Sequence, residues 1–190
     1  MQYDKTHENR ESIGRRLSES EDLSLIKPFD NEGVIAGAGT VGIEIASQMK
    51  EIGITKSDVL VCCGGGGLAS GIAVALRERA TGFKVRTCEP EKFDDAARSL
   101  ISGERLTNTE GEVSICDALL SPSLGEVTYP ILAELAGKGL IVSDEEVLFS
   151  MAQAFLRLKI VLVSTPIVLA LPKFLKAVPL PAATKFSTSR

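Results

Sequence analysis

The stretch VLVCCGGGGLASG, residues 59–71, is the part of the chain whose reading decides the fold. Its apolar start reads as a buried strand. Leu68, Ile72, Leu76 and Arg79 then recur at helical spacing, and Gly82 stops that helix. Four consecutive glycines, Gly64, Gly65, Gly66 and Gly67, join the two elements. Glycine loses more backbone entropy on folding than any other residue and offers no side chain to pack. A plain tight turn is therefore a weaker explanation than a loop whose N–H groups converge on an anion. The positive end of the helix starting near Leu68 would complete such a site. No G-K-[ST] follows, which excludes a nucleotide P-loop. A compact phosphate monoester fits better.

Outward from this stretch, strands and helices alternate. KVRTCEP (84–90) reads as a second strand and DDAARSLISG (94–103) as a short helix ending at Gly103. VSICDALL (113–120) reads as strand or irregular. VTYPILAELAGKG (127–139) reads as a helix with Pro130 in its first turn, and LIV (140–142) as a short strand. Ser143 with Glu146 forms a capping box that opens a helix through Val147, Met151, Phe155 and Leu158. Toward the N-terminus, residues 3–21 read as an exposed helix and LSLIKP (23–28) as a short strand, followed by the acidic turn FDNEG. A helix runs from Thr40 to Gly53 with Val41, Ile45, Met49 and Ile52 on one face. This alternation predicts an α/β fold with a mainly parallel sheet flanked by helices.

A second glycine pattern, GVIAGAGTVG (33–42), matches the G-x-G-x-x-G of dinucleotide-binding folds through Gly37, Gly39 and Gly42. Its surroundings do not support that use. Only three apolar residues precede Gly37, and an acidic turn precedes those. The acid that should hold the ribose lies at the end of the next strand in such folds. Asp58 stands at the beginning of its strand instead. Close helix packing, or a loop lining another pocket, explains these glycines better.

The net charge of −4 leaves no electrostatic footprint for nucleic acid. The apolar run IVLVSTPIVLAL (160–171) is too short to span a bilayer, and the polar start MQYDKTHENRESIGRR has no signal-peptide core. These features predict a cytoplasmic protein with neither nucleic-acid nor membrane partners. Four cysteines and one histidine without C-x-x-C spacing argue against a zinc site. Cys62, Cys63 and Cys88 lie in strand-like runs and read as small buried hydrophobes.

Five segments occur together in a telling order: PFDNEGVIAGAGTVGIEI, DVLVCCGGGGLASGIA, CEPEKFDDAARSL, SICDALL and VSDEEVLFSMAQAFLRLKIV. In this respect the chain resembles the fold type II pyridoxal-phosphate enzymes of the threonine dehydratase (threonine/serine ammonia-lyase) and serine racemase family, over about residues 3–161. The resemblance implies part of the large domain of a tryptophan synthase beta-like fold. It also implies a lyase of amino-acid metabolism that eliminates water from threonine or serine, giving a 2-oxo acid and ammonia, and a possible homodimer. By resemblance, Gly64, Gly65, Gly66, Gly67 and Leu68 cradle the phosphate of pyridoxal 5'-phosphate. Glu89, Phe93 and Asp95 would likewise bind Mg²⁺ or Ca²⁺, with Phe93 giving a backbone carbonyl. The simpler alternative is that Glu89 and the Asp94–Asp95 pair cap the next helix.

The departures from the family are equally specific. Its Schiff-base lysine lies in an S-x-K-x-R-G segment, which does not occur among the 190 residues. No catalytic residue is therefore assigned, and the chain is expected to be a fragment, inactive alone. An EPGGA-like segment should follow LRLKIV, where LVSTPIVLALP stands instead. Glycine is absent after Gly139 and acid after Glu146. Residues 1–28 are thus expected to be a remnant helix and strand of the small-domain half. Residues 29–161 are expected to form a partial large domain, and 162–190 an aberrant tail, read out of frame. The competing readings are a non-catalytic phosphate- or small-anion-binding domain and, further off, a dinucleotide-binding oxidoreductase.

Overall fold

The computed structural model describes residues 10–161; the expected tail, 162–190, lies outside the described residues. Three strands, β1 (Ser57–Cys62), β2 (Phe83–Pro90) and β3 (Leu140–Val142), form a parallel sheet in the order β1-β2-β3. Val61 pairs with Thr87, Cys62 with Cys88, and Cys88 with Leu140. Side chains alternate between the two faces of a strand, and the core divides the same way. Val59, Val61, Phe83 and Val85 join Ile72, Leu76 and Leu132 in one cluster. Leu60, Cys62, Cys88 and Val142 join Cys116, Leu119 and Val147 in another. Strands buried on both faces read as continuous apolar runs, which is how DVLVCC was legible.

The helices are α1 (Arg10–Glu21), α2 (Glu32–Glu51), α3 (Gly67–Arg79), α4 (Asp95–Ser102), α5 (Thr128–Leu135) and α6 (Asp144–Gln153). A wider π-type turn over Ala154–Leu158 follows α6. The capping box is present: the Ser143 N–H donates to Glu146 Oε2 at 3.1 Å, and the Glu146 N–H to Ser143 Oγ at 3.2 Å. None of the described helices is long and apolar enough to cross a membrane.

Two local expectations are corrected, and a third is resolved between its alternatives. The helix expected from Thr40 begins at Glu32, because Asn31 Oδ1 accepts the Val34 N–H at 3.2 Å and caps it there. GVIAGAGTVG is therefore helix interior throughout, with no strand running into Gly37 and no phosphate-binding turn. Two of its glycines let α2 and α3 approach. A β-carbon on Gly42 would stand 2.8 Å from Ala75 Cβ and 2.9 Å from the Ile72 carbonyl oxygen. One on Gly71 of α3 would stand 2.7 Å from the Gly39 nitrogen. The strand expected at LSLIKP is not a strand. Leu25 and Ile26 are 52% and 76% exposed, and the segment pairs with no described strand. VSICDALL is irregular except for a 3₁₀ turn at Asp117–Leu119.

Candidate functional site

β1 ends at Cys62, but the sheet pattern persists one residue further: the Cys63 N–H bonds the Cys88 carbonyl at 2.9 Å. The chain then leaves the sheet through Gly64–Gly66 and enters α3 at Gly67. Gly66 has φ +90°, in the left-handed region that a β-carbon strains. A β-carbon there would also stand 2.8 Å from Leu124 Cδ2 and 2.9 Å from Thr128 Oγ1. Among the described residues, the N–H groups of Gly64, Gly65 and Gly66 donate to no acceptor. Buried backbone donors are rarely left so. The first N–H groups of α3 have no partner within the helix either. The result is a row of donors at the positive pole of a thirteen-residue helix, which is an arrangement for binding an anion. Leu68, at the second position of α3, is 41% exposed beside it.

The loop is held from behind by segments distant in sequence. The Gly65 carbonyl accepts from Thr128 Oγ1 at 2.7 Å and from the Gly125 N–H at 3.1 Å. Asp30 Oδ1 accepts the Val127 N–H at 2.8 Å. A β-carbon on Gly65 would run into the Phe29 ring, and one on Gly67 would lie 2.9 Å from Phe29 Cα. The glycines thus have two physical causes: free N–H groups on one side and close packing on the other.

The expected metal residues sit where β2 meets α4. Glu89 is fully buried, and its two oxygens accept the Ala96 and Ala97 N–H groups at 2.8 and 2.7 Å. It therefore caps α4, whereas Asp94 makes no side-chain cap bond and its Oδ1 accepts from Arg98 Nε at 2.6 Å. Burial first, then the charge of Asp95, pushes its pKa up to about 8. Burial raises Asp95 to about 6, against the opposing hydrogen bond from Asn108 Nδ2 at 2.6 Å. Asp95 Oδ2 is buried and has no partner, and the same is true of Thr87 Oγ1. The Phe93 N–H bonds the Pro90 carbonyl at 2.8 Å. No group of three or more His, Cys, Asp or Glu among the described residues is arranged to hold a metal. A cation here would depend on two carboxylates, a carbonyl and water, a hard-oxygen set that suits Mg²⁺ or Ca²⁺.

None of the four cysteines forms a disulfide among the described residues. Cys63 is raised well above the usual thiol range, chiefly by burial and then by the charges of Glu89 and Asp95; burial also raises Cys62. Both are protonated thiols at neutral pH and poor nucleophiles. Sequence reasoning did not single out Phe29, Asp30, Asn108 or Thr128. The one local sign was the Gly125-to-Thr128 spacing of a turn entering a helix. Their partners lie far along the chain, where periodicity carries no information.

A parallel sheet flanked by helices, with a glycine loop feeding a helix N-terminus, defines an α/β protein. The model of the family described as "Pyridoxal-phosphate dependent enzyme" matches residues 1–176, and the chain belongs to that family. Serine racemase of Dictyostelium discoideum is 36% identical over 158 residues, 83% of this chain and 47% of that protein. The L-threo-3-hydroxyaspartate ammonia-lyase of Saccharomyces cerevisiae is 36% identical over 165 residues, 87% of this chain and 49% of that protein. The solved T.th. threonine deaminase superposes with a TM-score of 0.83 at 39% identity, covering 88% of this chain and 56% of that one. The chain spans about half the length of the curated relatives it matches. The expected fold type II architecture holds. The relatives include racemases as well as ammonia-lyases, as the resemblance to the dehydratase and racemase family implied.

Proposed function

We propose that this chain is the phosphate-anchoring part of a pyridoxal-phosphate-dependent ammonia-lyase or racemase acting on threonine or serine. The observation that carries this reading is the row of unpartnered N–H groups at Gly64–Gly66, running into the N-terminus of α3. These donors fit a phosphate monoester in charge and in kind. Gly64, Gly65, Gly66, Gly67 and Leu68 would hold it through backbone N–H groups. When bound, the cofactor supplies the electron sink for breaking a bond at the amino acid's α-carbon. The chain's own contribution is to anchor the phosphate and to seat Phe29 behind the loop.

We assign the chain the binding step and not the catalytic cycle, because S-x-K-x-R-G does not occur in it. The same observation keeps a second reading in play, a non-catalytic phosphate-binding domain. For the metal, Glu89, Asp95 and the Phe93 carbonyl would hold Mg²⁺ or Ca²⁺. The unpartnered Asp95 Oδ2 supports this fit. The cation would neutralise two buried carboxylates and tie α4 to β2.

Borohydride reduction in the presence of pyridoxal phosphate, followed by peptide mapping, tests the assignment. Reversible binding that phosphate competes away, with no stoichiometric lysine adduct, is expected. A single lysine modified to full stoichiometry overturns the claim that the linking lysine is not in this chain. Binding of inorganic phosphate with no preference for the cofactor would favour the second reading.

A further inference from the structure

We propose that Thr128 is a positioning residue that sets the direction of the loop's central N–H group. The inference rests on the phosphate reading of Gly64–Gly66 and goes beyond it. The Gly65 carbonyl and the Gly66 N–H belong to one peptide unit, and in a trans peptide they point in opposite directions. Thr128 Oγ1 donates to that carbonyl at 2.7 Å, and the Gly125 N–H reaches it at 3.1 Å. With the carbonyl drawn toward α5, the Gly66 N–H must point away from α5. It makes no bond there with any described residue.

The hydroxyl is itself fixed. It accepts the Gly125 N–H at 2.8 Å, and the residue is wholly buried. The Thr128 carbonyl accepts from Ser70 Oγ of α3 at 3.3 Å, so the hydroxyl is referenced to the helix whose N-terminus completes the site. The left-handed φ of Gly66 lets the chain turn from this peptide directly into α3. Thr128 acts through the peptide and does not touch the anion. Removing its hydroxyl leaves the carbonyl with one partner and lets the peptide rotate.

The test uses the full chain labelled with ¹⁵N-glycine, titrated with inorganic phosphate, pyridoxal phosphate and unphosphorylated pyridoxal. Thr128→Val keeps the shape and removes the hydroxyl. It should weaken phosphate and pyridoxal phosphate by at least about tenfold, the scale of one lost hydrogen bond, and abolish the phosphate-induced shift of the Gly66 amide. Pyridoxal binding should not change, and Thr128→Ser should restore both losses. A folded Thr128→Val chain with unchanged phosphate affinity overturns the proposal, as does a Thr128→Ser chain equally impaired. Should Thr128→Val not fold, Thr128→Cys, a weaker donor of similar size, should lose affinity partly; full affinity there also overturns it. If the unaltered chain binds neither phosphate nor pyridoxal phosphate, the phosphate reading itself falls and takes this one with it.

Discussion

Leu68 sits at the second position of α3 with its side chain half in solvent, so substitution there changes charge without disturbing the packing behind the loop. A carboxylate in the first turn of a helix favours the dipole by roughly 0.3–1 kcal/mol. Leu68→Asp should therefore leave urea stability unchanged or slightly raised, while pyridoxal phosphate affinity falls by more than about tenfold through like-charge repulsion. Unchanged affinity would mean that no anion sits at this end of the helix. Gly65 is a poorer probe, since any side chain there meets the Phe29 ring first. The glycines were legible in the sequence because four in a row have few physical uses. Thr128 was not, because a threonine at the start of an apolar helix has many uses until its hydroxyl is seen on Gly65.

The junction of β2 and α4 carries a pH dependence whose sign follows from burial. Glu89 titrates near 8 in the fold against an ordinary 4.5, and Asp95 near 6 against 3.8. Each binds its proton more tightly folded than unfolded. The stability they contribute is complete below their ordinary values and is lost as pH rises through about 6 and then about 8. In chelator, the urea midpoint should fall between pH 5 and pH 8.5. Mg²⁺ or Ca²⁺, which binds the ionised form, should flatten that fall, and so should Glu89→Gln. A midpoint in chelator that ignores pH would show that these carboxylates are not desolvated. The close approach of α2 and α3 supports a further prediction. Gly71→Ala places a methyl against backbone atoms of Gly39 and Ala38, which cannot swing aside. It should destabilise the chain by about 1–3 kcal/mol on urea unfolding, as overpacking does; a stability within error of the parent would contradict that packing. Periodicity located α3, β2, α4 and α6 because each has a clear start and stop signal. It misplaced the start of α2, where Gly37 and Gly39 resembled a loop; Gly39 lies against α3, and Gly37 faces open space.

Across the whole molecule, the parallel sheet and its helical layers followed from alternating apolar runs, and the family from five segments in order. What the sequence did not show was how distant segments converge. Phe29, Asp30 and Gly125–Thr128 come from opposite ends of the described chain to brace one loop. We retain as a proposal that residues 162–190 are read out of frame; the family match extends to residue 176. An EPGGA-like segment in another frame of the DNA after codon 161 is the expected outcome, and its absence from every frame would discard the idea. The central claim is that the tetraglycine loop is a phosphate anchor, and comparing two titrations of the unaltered chain tests it most directly. Pyridoxal phosphate should bind at least about tenfold more tightly than pyridoxal, a difference of about 1.4 kcal/mol, and inorganic phosphate should remove that advantage. Equal affinity for the two, insensitive to phosphate, would contradict the account and leave the four glycines as a turn shaped only by packing.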